Sequence, residues 1–519
     1  MNILLISLSD YEVNKGLVYF PLGLFYIKGY GMKYNPLLKD VSIKVKILDS
    51  NLSSKEILAA ITSENCKIVG FSCWCWNINK ILEVSHLLKS FDKSVKIILG
   101  GPQVSPMHEG QDLLKFNKTI DVIVHGEGEV TFSELVKSYL LDKPSLHEIA
   151  GISFREGEQI ISTSYREPLA NLDDISYIIS TEEMRAFDLS KTIFLLETHR
   201  GCPFKCRFCY YNKGFKGVRY FSLQIVKKNI KFLLDNGIHR LYLADPTFNI
   251  NLNRAKDILK FIIEQKKNLI LNAEIKAELI DEEFVKLLYK AGIKFLDVGL
   301  QSINPHALEA MNRNLDKAKF EKGVELLIKE KIGFQIQLIK GLPGDNYEGF
   351  CESINYAMKL INNNWWSMEV FPLQIIPGSE FYDKFSEWGI IFEKSPPNYV
   401  LQTKTFSRND MEKIENMLIS LKQIYSSSII TTLANSLQQQ PTEIAIDWSS
   451  WFTKNAGLHL EQFNDMSLFT RVRLFKKFLI NKYHKADTGK FIHSSRYNLL
   501  IARAFYTILK CRIKLFLNN

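Results

Sequence analysis

"RGCPFKCRFCYY", Arg200–Tyr211, holds three cysteines in eight residues at the spacing C-x3-C-x2-C. A structural zinc site needs four protein ligands, and neither a second C-x2-C pair nor paired histidines follow downstream, so zinc would lack a closed shell. Three thiolates in a loop containing glycine and proline can instead hold three irons of a 4Fe-4S cluster and leave the fourth iron open to an external ligand. Cys202, Cys206 and Cys209 are therefore candidate metal ligands, and three unligated core thiols are the plainer alternative. Arg200, Lys205 and Arg207 supply nearby positive charge of the kind a net-negative cluster needs.

The cysteines follow "TIFLLETHR", the first of six β-type runs that alternate with helical stretches; the others are "IHRLYLADPTFN", "LILNAEIKAELI", "IKFLDVGLQS", "GFQIQLIKGLPG" and "WSMEVFPLQIIPG". Six strand-helix units in series predict a barrel or partial barrel, with chemistry at the carboxyl ends of the strands. Cys202, Asp245, Glu274, Gln301, Leu342 and Pro377 stand at or just past such ends. Upstream, "MNILLISL", "VSIKVKILDS", "CKIVGFSCW", "VKIILGG" and "DVIVHGEGE" alternate with helical patterns, which predicts a doubly wound parallel sheet with ligand-facing loops such as "GGPQVSP" and "HGEGEVTF". Cys73 and Cys75 in "FSCWCW" are expected to alternate along a strand, face opposite sides and serve as packing residues. After about Phe406 helical patterns dominate. The predicted order is an N-terminal α/β domain over 1–165, a barrel over 185–402 and a helical C-terminal region over 403–519.

Composition agrees with a soluble multidomain protein: 519 residues, 46% hydrophobic and 24% charged. Eight scattered cysteines, no apolar run of membrane-spanning length and no basic-then-apolar start predict a cytoplasmic chain without a disulfide framework or transmembrane segment. Arg471–Asn519 carries twelve Lys and Arg against Asp487 alone, so the net charge of +10 belongs to the tail. Basic and aromatic residues do not interleave there as nucleic-acid recognition requires. "RYNLLIARAFYTILKCRIKLFLNN", which includes Cys511, reads as a helix on the body or at an interface, with docking of an acidic peptide or electron donor as the sharper alternative.

The cysteine motif resembles that of the radical S-adenosylmethionine (SAM) superfamily. "YLADPTFNIN", "GLQSINPHALEAMNR", "LIKGLPGDNYEGF" and "LQIIPGSEFYD" resemble later strand motifs of its branch with an N-terminal cobalamin (B12)-binding-type domain. "FPLGLFYIKGY", "GFSCW", "GGPQVSP" and "DVIVHGEGEVTF" are similar to that domain. The resemblance spans about residues 1–400 and implies a Rossmann-like domain followed by a partial (β/α)6 TIM-like barrel.

Residue by residue, the resemblance implies that Cys202, Cys206 and Cys209 hold the cluster, whose open iron takes the amino and carboxylate groups of SAM. Phe208 would lie against the adenine, and Ala244, Asp245 and Pro246 beside the methionine amino group. Glu274 or Glu278 would reach the ribose, with Gln301, Ser302 and Arg313 as polar contacts. Glu278 could equally serve as a helix-cap acid and Arg313 as a partner of Asp316. The family's chemistry is one-electron cleavage of SAM to methionine and a 5′-deoxyadenosyl radical, which abstracts hydrogen from an unactivated carbon. The cobalt-ligating signature D-x-H-x-x-G is absent, since His86, His108 and His125 do not stand in it, so cobalamin would be held by the domain surface.

The expected activity is alkylation or methylation of an unactivated carbon of a peptide or small metabolite, with a reductant such as flavodoxin or ferredoxin. Hydrogen abstraction, cyclisation or rearrangement without methyl transfer, and a cluster-containing accessory protein without turnover, are the alternatives.

Overall fold

The computed structural model describes residues 2–9, 16–175, 179–211, 217–437, 439–456 and 458–483. Most of the basic tail, with Cys511, lies outside the described residues. The chain divides into two compact units. The first takes the residues up to Gly299 with Leu308–Phe334 and Pro372–Lys404; the second takes Leu300–Ala307, Gln335–Phe371 and the chain from Thr405.

In the first unit, eight strands are β1 (Asn2–Ser9), β2 (Val18–Tyr19), β3 (Ser42–Asp49), β4 (Ile68–Ser72), β5 (Lys96–Gly100), β6 (Val122–Val124), β7 (Ile152–Glu156) and β8 (Gln159–Ser162). All but β2 form a sheet ordered β3-β1-β4-β5-β6-β7-β8, parallel through β6 and closed at one edge by the antiparallel hairpin β7–β8. Successive side chains of β1 go to opposite faces. Leu4, Ile6 and Leu8 enter one core with Ile57, Ile61 and Val84, while Ile3 and Leu5 enter another with Leu24, Leu135 and Val136. Helices therefore cover both faces: α1 (Leu22–Tyr34), α2 (Ser54–Thr62), α3 (Ile78–Phe91), α4 (Met107–Phe116) and α5 (Gly128–Leu141). The strand order reverses at β1, with β3 on one side and β4 on the other, and the carboxyl ends beside such a reversal are where doubly wound sheets bind ligands.

One expectation is corrected here. β4 stops at Ser72, so Cys73 and Cys75 do not alternate along a strand. The chain turns off the sheet as the Cys73 N–H donates to Gly100 O at 2.7 Å, burying Cys73, while Cys75 lies in the following turn with Sγ 3.9 Å from Gln374 Oε1. They remain separated and do not form a metal-binding pair.

The barrel strands in this unit are β9 (Thr192–Leu196), β12 (Arg240–Leu243), β13 (Ile270–Ile275) and β14 (Ile293–Gln301), with the two-residue ladder β10 (His199–Arg200) and β11 (Arg219–Tyr220) beside them. Neighbours run β2-β9-β12-β13-β14, all parallel. The first domain thus contributes β2 to the barrel sheet, through Val18↔Thr192 and Tyr19↔Ile193. Alternation gives an apolar buried set (Leu241, Leu243, Leu271, Ala273, Leu296, Val298) and a polar set on the other face (Tyr242, Asn272, Glu274, Asp297). Ser222, Asn251, Asp281 and Asp316 start the intervening helices by accepting backbone N–H groups three residues on. A short antiparallel pair, β17 (Ile391–Phe392) with β18 (Val400–Gln402), follows later.

The second unit contains β15 (Phe334–Lys340) and β16 (Met368–Pro372), which are neighbours, and the helical C-terminal region. Helices Arg408–Tyr425, Pro441–Ala456 and Leu468–Tyr483 surround the fully buried Trp448, whose indole N–H donates to Gln423 Oε1 at 2.9 Å and whose ring meets Phe452, Phe463, Phe475 and Phe478. Among the described residues no helix is long and apolar enough to cross a membrane.

Helix Lys317–Lys329 packs so closely on the turn at Ala277 that a Cβ on Gly323 would lie 2.3 Å from Ala277 O. Alanine raises helix propensity by about 1 kcal/mol, but overpacking against backbone costs about 1–3 kcal/mol. Gly323→Ala should therefore lower the urea midpoint. Gly23→Ala, in α1 with open space around its Cβ, should leave the midpoint unchanged or raise it.

Candidate cluster and cofactor site

The site grows from the carboxyl ends of the barrel strands. After β9 the chain turns through Glu197 and Thr198 into β10, and the rungs His199↔Tyr220 and Arg200↔Arg219 close the base of the segment 201–218 that carries the cysteines. Cys206 is buried, Cys202 and Cys209 are part-buried, and none of the described cysteines is in a disulfide. Burial pushes the thiols of Cys202 and Cys209 up, Cys209 to about 12, against the pull of backbone N–H groups of Phe204 on Cys202 and Tyr211 on Cys209. Each of these thiols also feels the charge of the neighbouring cysteines. Two of the three thiols have backbone N–H donors aimed at them that would stabilise thiolates, while among the described residues no three His, Cys, Asp or Glu side chains already stand together as a metal site, so a cluster would have to draw the three sulfurs in as it binds.

The charge around the loop differs from the sequence expectation. Arg200 does not offer free positive charge to the cysteines, because it is buried and paired with three carboxylates, Glu129 (2.8 Å), Glu197 (2.9 Å) and Glu127 (3.3 Å). Arg207 is likewise spent: it meets Glu380 at 3.2 Å, donates to Glu309 O and Ala310 O, and lies over Trp388. Lys205 is exposed. The cation that reaches the cysteines is Arg313, which opposes the rise of Cys202 and is anchored by donating to Gly299 O at 2.6 Å. Arg313 does not pair with Asp316, whose carboxylate caps helix Lys317–Lys329 and meets Lys319.

The other sequence-derived candidates fall into two groups. In the first, the polar atoms are committed within the protein. Asp245 is buried, with Oδ1 accepting from the N–H groups of Thr198 (2.7 Å) and His199 (3.1 Å) and Oδ2 from the Thr198 hydroxyl (2.7 Å). Ala244 donates its N–H to Leu196 O at 2.9 Å, tying β12 to β9. Pro246 follows, part-buried. Ser302, fully buried, is 3.3 Å from both Asp345 and Ser353.

In the second group, polar atoms remain open. Glu278 is not a helix cap; Asp281 takes that position, and Glu278 lies in a turn with its carboxylate buried, 2.9 Å from Lys276 Nζ and otherwise without a hydrogen-bond partner. Gln301 adopts a left-handed backbone (φ +72°) and has a buried, unpartnered Oε1. Phe208 sits part-buried in the turn between Cys206 and Cys209. Glu274 is exposed as a whole residue, while the protein around its carboxyl end, then the charge of Asp297, pushes that carboxyl up to about 7.

Four residues missed by the sequence reading, Tyr242, Asp297, Tyr211 and Glu197, interact with Glu274 directly or through one another. The Tyr242 hydroxyl is 3.2 Å from both Glu274 and Asp297, which are register partners on β13 and β14. The protein around the phenol of Tyr211, then the charges of Glu197, Glu274, Cys209 and Asp245, act on it and raise it, although the residue as a whole is exposed. The alternation Tyr242, Glu274, Asp297 was the available signal; nothing in the sequence singled out Tyr211 or Glu197.

In the first domain, His125 is buried, with Nδ1 against Val104 O and Ser105 O and Nε2 2.7 Å from Ser153 Oγ; burial lowers its pKa, so it is a neutral, satisfied core histidine. His86 and His108 are exposed. The turn after β4 shows solvent a stacked pair, Trp74 and Trp76, with ring centroids 4.8 Å apart.

A model of the radical SAM superfamily matches residues 196–357, and a model of the B12 binding domain matches residues 13–136. The chain is 26% identical over 341 residues to the 2-(S-pantetheinyl)-carbapenam-3-carboxylate methyltransferase of Streptantibioticus cattleyicolor, covering 63% of this chain and 49% of that one. It is 26% identical over 331 residues to the anaerobic magnesium-protoporphyrin IX monomethyl ester cyclase of Cereibacter sphaeroides, covering 60% and 53%. The chain thus spans about half the length of these curated relatives. Among solved structures, the cobalamin-dependent S-adenosylmethionine radical enzyme OxsB with aqua-cobalamin and S-adenosylmethionine bound shares the fold, with a TM-score of 0.64 at 14% identity over 97% of this chain and 83% of that one.

The elevated carboxyl of Glu274 has a pH signature. Its pKa is about 7 folded against 4.5 for an ordinary glutamate, so between those values the folded chain holds a proton that the unfolded chain has lost. Stability therefore falls as pH rises through that window and levels off above it. Glu274→Gln removes this loss, and the variant's unfolding midpoint relative to wild type should be higher at about pH 8 than at about pH 5. An offset that is flat with pH would contradict the assignment.

Proposed function

Because the chain joins a B12-binding domain to a radical SAM domain, we propose that it methylates an unactivated carbon of a small metabolite or peptide, using SAM, a 4Fe-4S cluster and cobalamin. The observation that carries this reading is the C-x3-C-x2-C loop at the end of the first barrel strand, two of its thiols met by backbone N–H groups and one by Arg313, in a chain that also carries a B12-binding domain. Cys202, Cys206 and Cys209 would hold three irons, leaving the fourth to the amino and carboxylate groups of SAM. The bound cluster supplies one-electron reduction, which no side chain can provide.

The remaining work belongs to the protein. Arg313 offsets negative charge beside Cys202. Phe208 offers a ring to the adenine, and the buried carboxylate of Glu278 can accept from a ribose hydroxyl. Ala244, Asp245 and Pro246 form a fixed backbone edge beside the methionine end, because the Asp245 side chain is locked onto Thr198 and His199. Gln301 offers a free amide oxygen, and Ser302 stiffens the backbone next to it. Glu274, with Tyr242 and Asp297, can hold or release a proton near neutrality. Cobalamin would rest on the loops after β4, β5 and β6, where His125 is already committed to Val104, Ser105 and Ser153. The substrate arrives from the cytoplasm, and the electron from a flavodoxin- or ferredoxin-type donor.

A radical reaction without methyl transfer is the second reading, favoured by the similarity to a cyclase and by the absence of a cobalt-ligating histidine among His86, His108 and His125. Anaerobic reconstitution with iron, sulfide and hydroxocobalamin separates the two. The expected result is about four irons per chain, lost in Cys202→Ala, Cys206→Ala or Cys209→Ala, a corrinoid spectrum that survives desalting, and transfer of labelled methyl from SAM. Retention of the cluster alone, with SAM cleavage, would favour the second reading. Absence of SAM cleavage by the reduced, cluster-loaded protein would leave only an accessory role.

A further inference from the structure

Resting on the cluster reading above, we propose that Glu127 is a positioning residue for the cluster loop: one carboxylate of the B12-binding domain clasps the two arginines at the base of that loop and so holds the three thiols in place. Arg200 and Arg219 are direct partners across the two-stranded ladder that closes segment 201–218. Opposed like charges on such a ladder repel. Glu127 sits against both: Oε1 is 3.3 Å from Arg200 and also bonds Arg219, while Oε2 is 3.2 Å from Arg219 and accepts the Leu169 N–H at 3.0 Å. Burial opposes its ionisation, but the two arginines outweigh burial and hold its carboxyl below the ordinary range.

The geometry is directional. Arg200 precedes Cys202 by two residues, and Glu127 follows β6 by three, in the loop "HGEGE" at the ligand-facing end of the first sheet. Glu129, at the start of α5, adds a second anchor on Arg200, whose guanidinium also lies 5.4 Å from the ring centre of Tyr26 on α1. A second tie holds the far end of the cysteine motif. Tyr210 bonds Ser105, and the Tyr210 ring and Pro106 pack so tightly on Gly378 that a Cβ there would lie 2.8 Å from both. The cluster loop is therefore held to the B12-binding domain before its first cysteine and after its last. What binds to that domain's loops is coupled through Glu127 to the cluster ligands.

The test compares the full chain, wild type and Glu127→Gln, before and after anaerobic reconstitution with iron and sulfide. Before reconstitution, amide hydrogen exchange at Cys202–Tyr211 should quicken in Glu127→Gln while exchange in α3 stays unchanged. Afterwards, iron should pass to a ferrous chelator about 10- to 100-fold faster, the usual effect of removing an outer support of a metal site. Adding Arg219→Gln to Glu127→Gln removes the uncompensated charge and should return both readouts towards wild type. Exchange and iron release at wild-type rates in Glu127→Gln, or no recovery in the double variant, would overturn the proposal. Should Glu127→Gln fail to fold, Glu127→Asp, too short to span both arginines, must show the same acceleration, and wild-type behaviour in it would be equally fatal. A wild-type chain that takes up no iron would defeat the cluster reading alone, because the exchange measurement needs no metal.

Discussion

Two arginines face each other across one rung of a two-residue ladder, and burial makes their neutralisation compulsory. Leaving one partner of a buried ion pair uncompensated costs about 3–5 kcal/mol, more than a two-residue ladder contributes in backbone hydrogen bonds at about 1 kcal/mol each. The ladder therefore exists because carboxylates reach it, and two of those, Glu127 and Glu129, come from the other domain. The carboxylates that compensate the ladder also tie the first domain to the segment that carries the cysteines. The same logic explains why β2, only two residues long, can join the barrel sheet: it is carried there by a domain already held in place.

The barrel strands show how one alternation does two tasks. Leu271, Ala273 and Ile275 make core on one face of β13, and Asn272 and Glu274 line the other. Because β13 and β14 are parallel and in register at Glu274↔Asp297, two carboxylates meet side by side. Burial, then the charge of Asp297, opposes ionisation of Glu274, so Glu274 keeps its proton to near neutral pH. Tyr242, one strand over, is placed to bond both. A sheet face with this composition is poor at stabilising a fold and well suited to handling polar or charged atoms.

How much of this was legible in the sequence depended on whether the deciding interaction was local. The strands with strong apolar periodicity, β1, β3 to β6, β9 and β12 to β16, could be read because burial imposes their pattern residue by residue. The thiol spacing could be read because three ligands in one loop are a local fact. β2 and the β10–β11 ladder could not, since two residues carry no period. Arg200 was misjudged for the same reason: its proximity to Cys202 is visible in sequence, but the carboxylates that neutralise it are 71 and 73 residues away for Glu129 and Glu127. Cys73 and Cys75 were placed on a strand because the apolar run continues past Ser72, whereas the backbone turns to bond Gly100.

The acidic residues of the site divide by whether their lone pairs are used. Asp245 accepts three hydrogen bonds from Thr198 and His199, so its charge is met by fixed dipoles and it shapes the backbone that leads into the cysteines. Glu127 and Glu129 are met by guanidinium groups and serve as anchors. Glu278 has one lysine and no hydrogen-bond donor beyond it, and Gln301 keeps a buried oxygen unpartnered in a strained backbone. Buried polar atoms left open cost stability of about 1–3 kcal/mol each, and a fold bears that cost where a ligand completes the bonding. The satisfied acids therefore shape the frame, and residue identity alone could not separate them from the open groups because both sets are drawn from the same side-chain types.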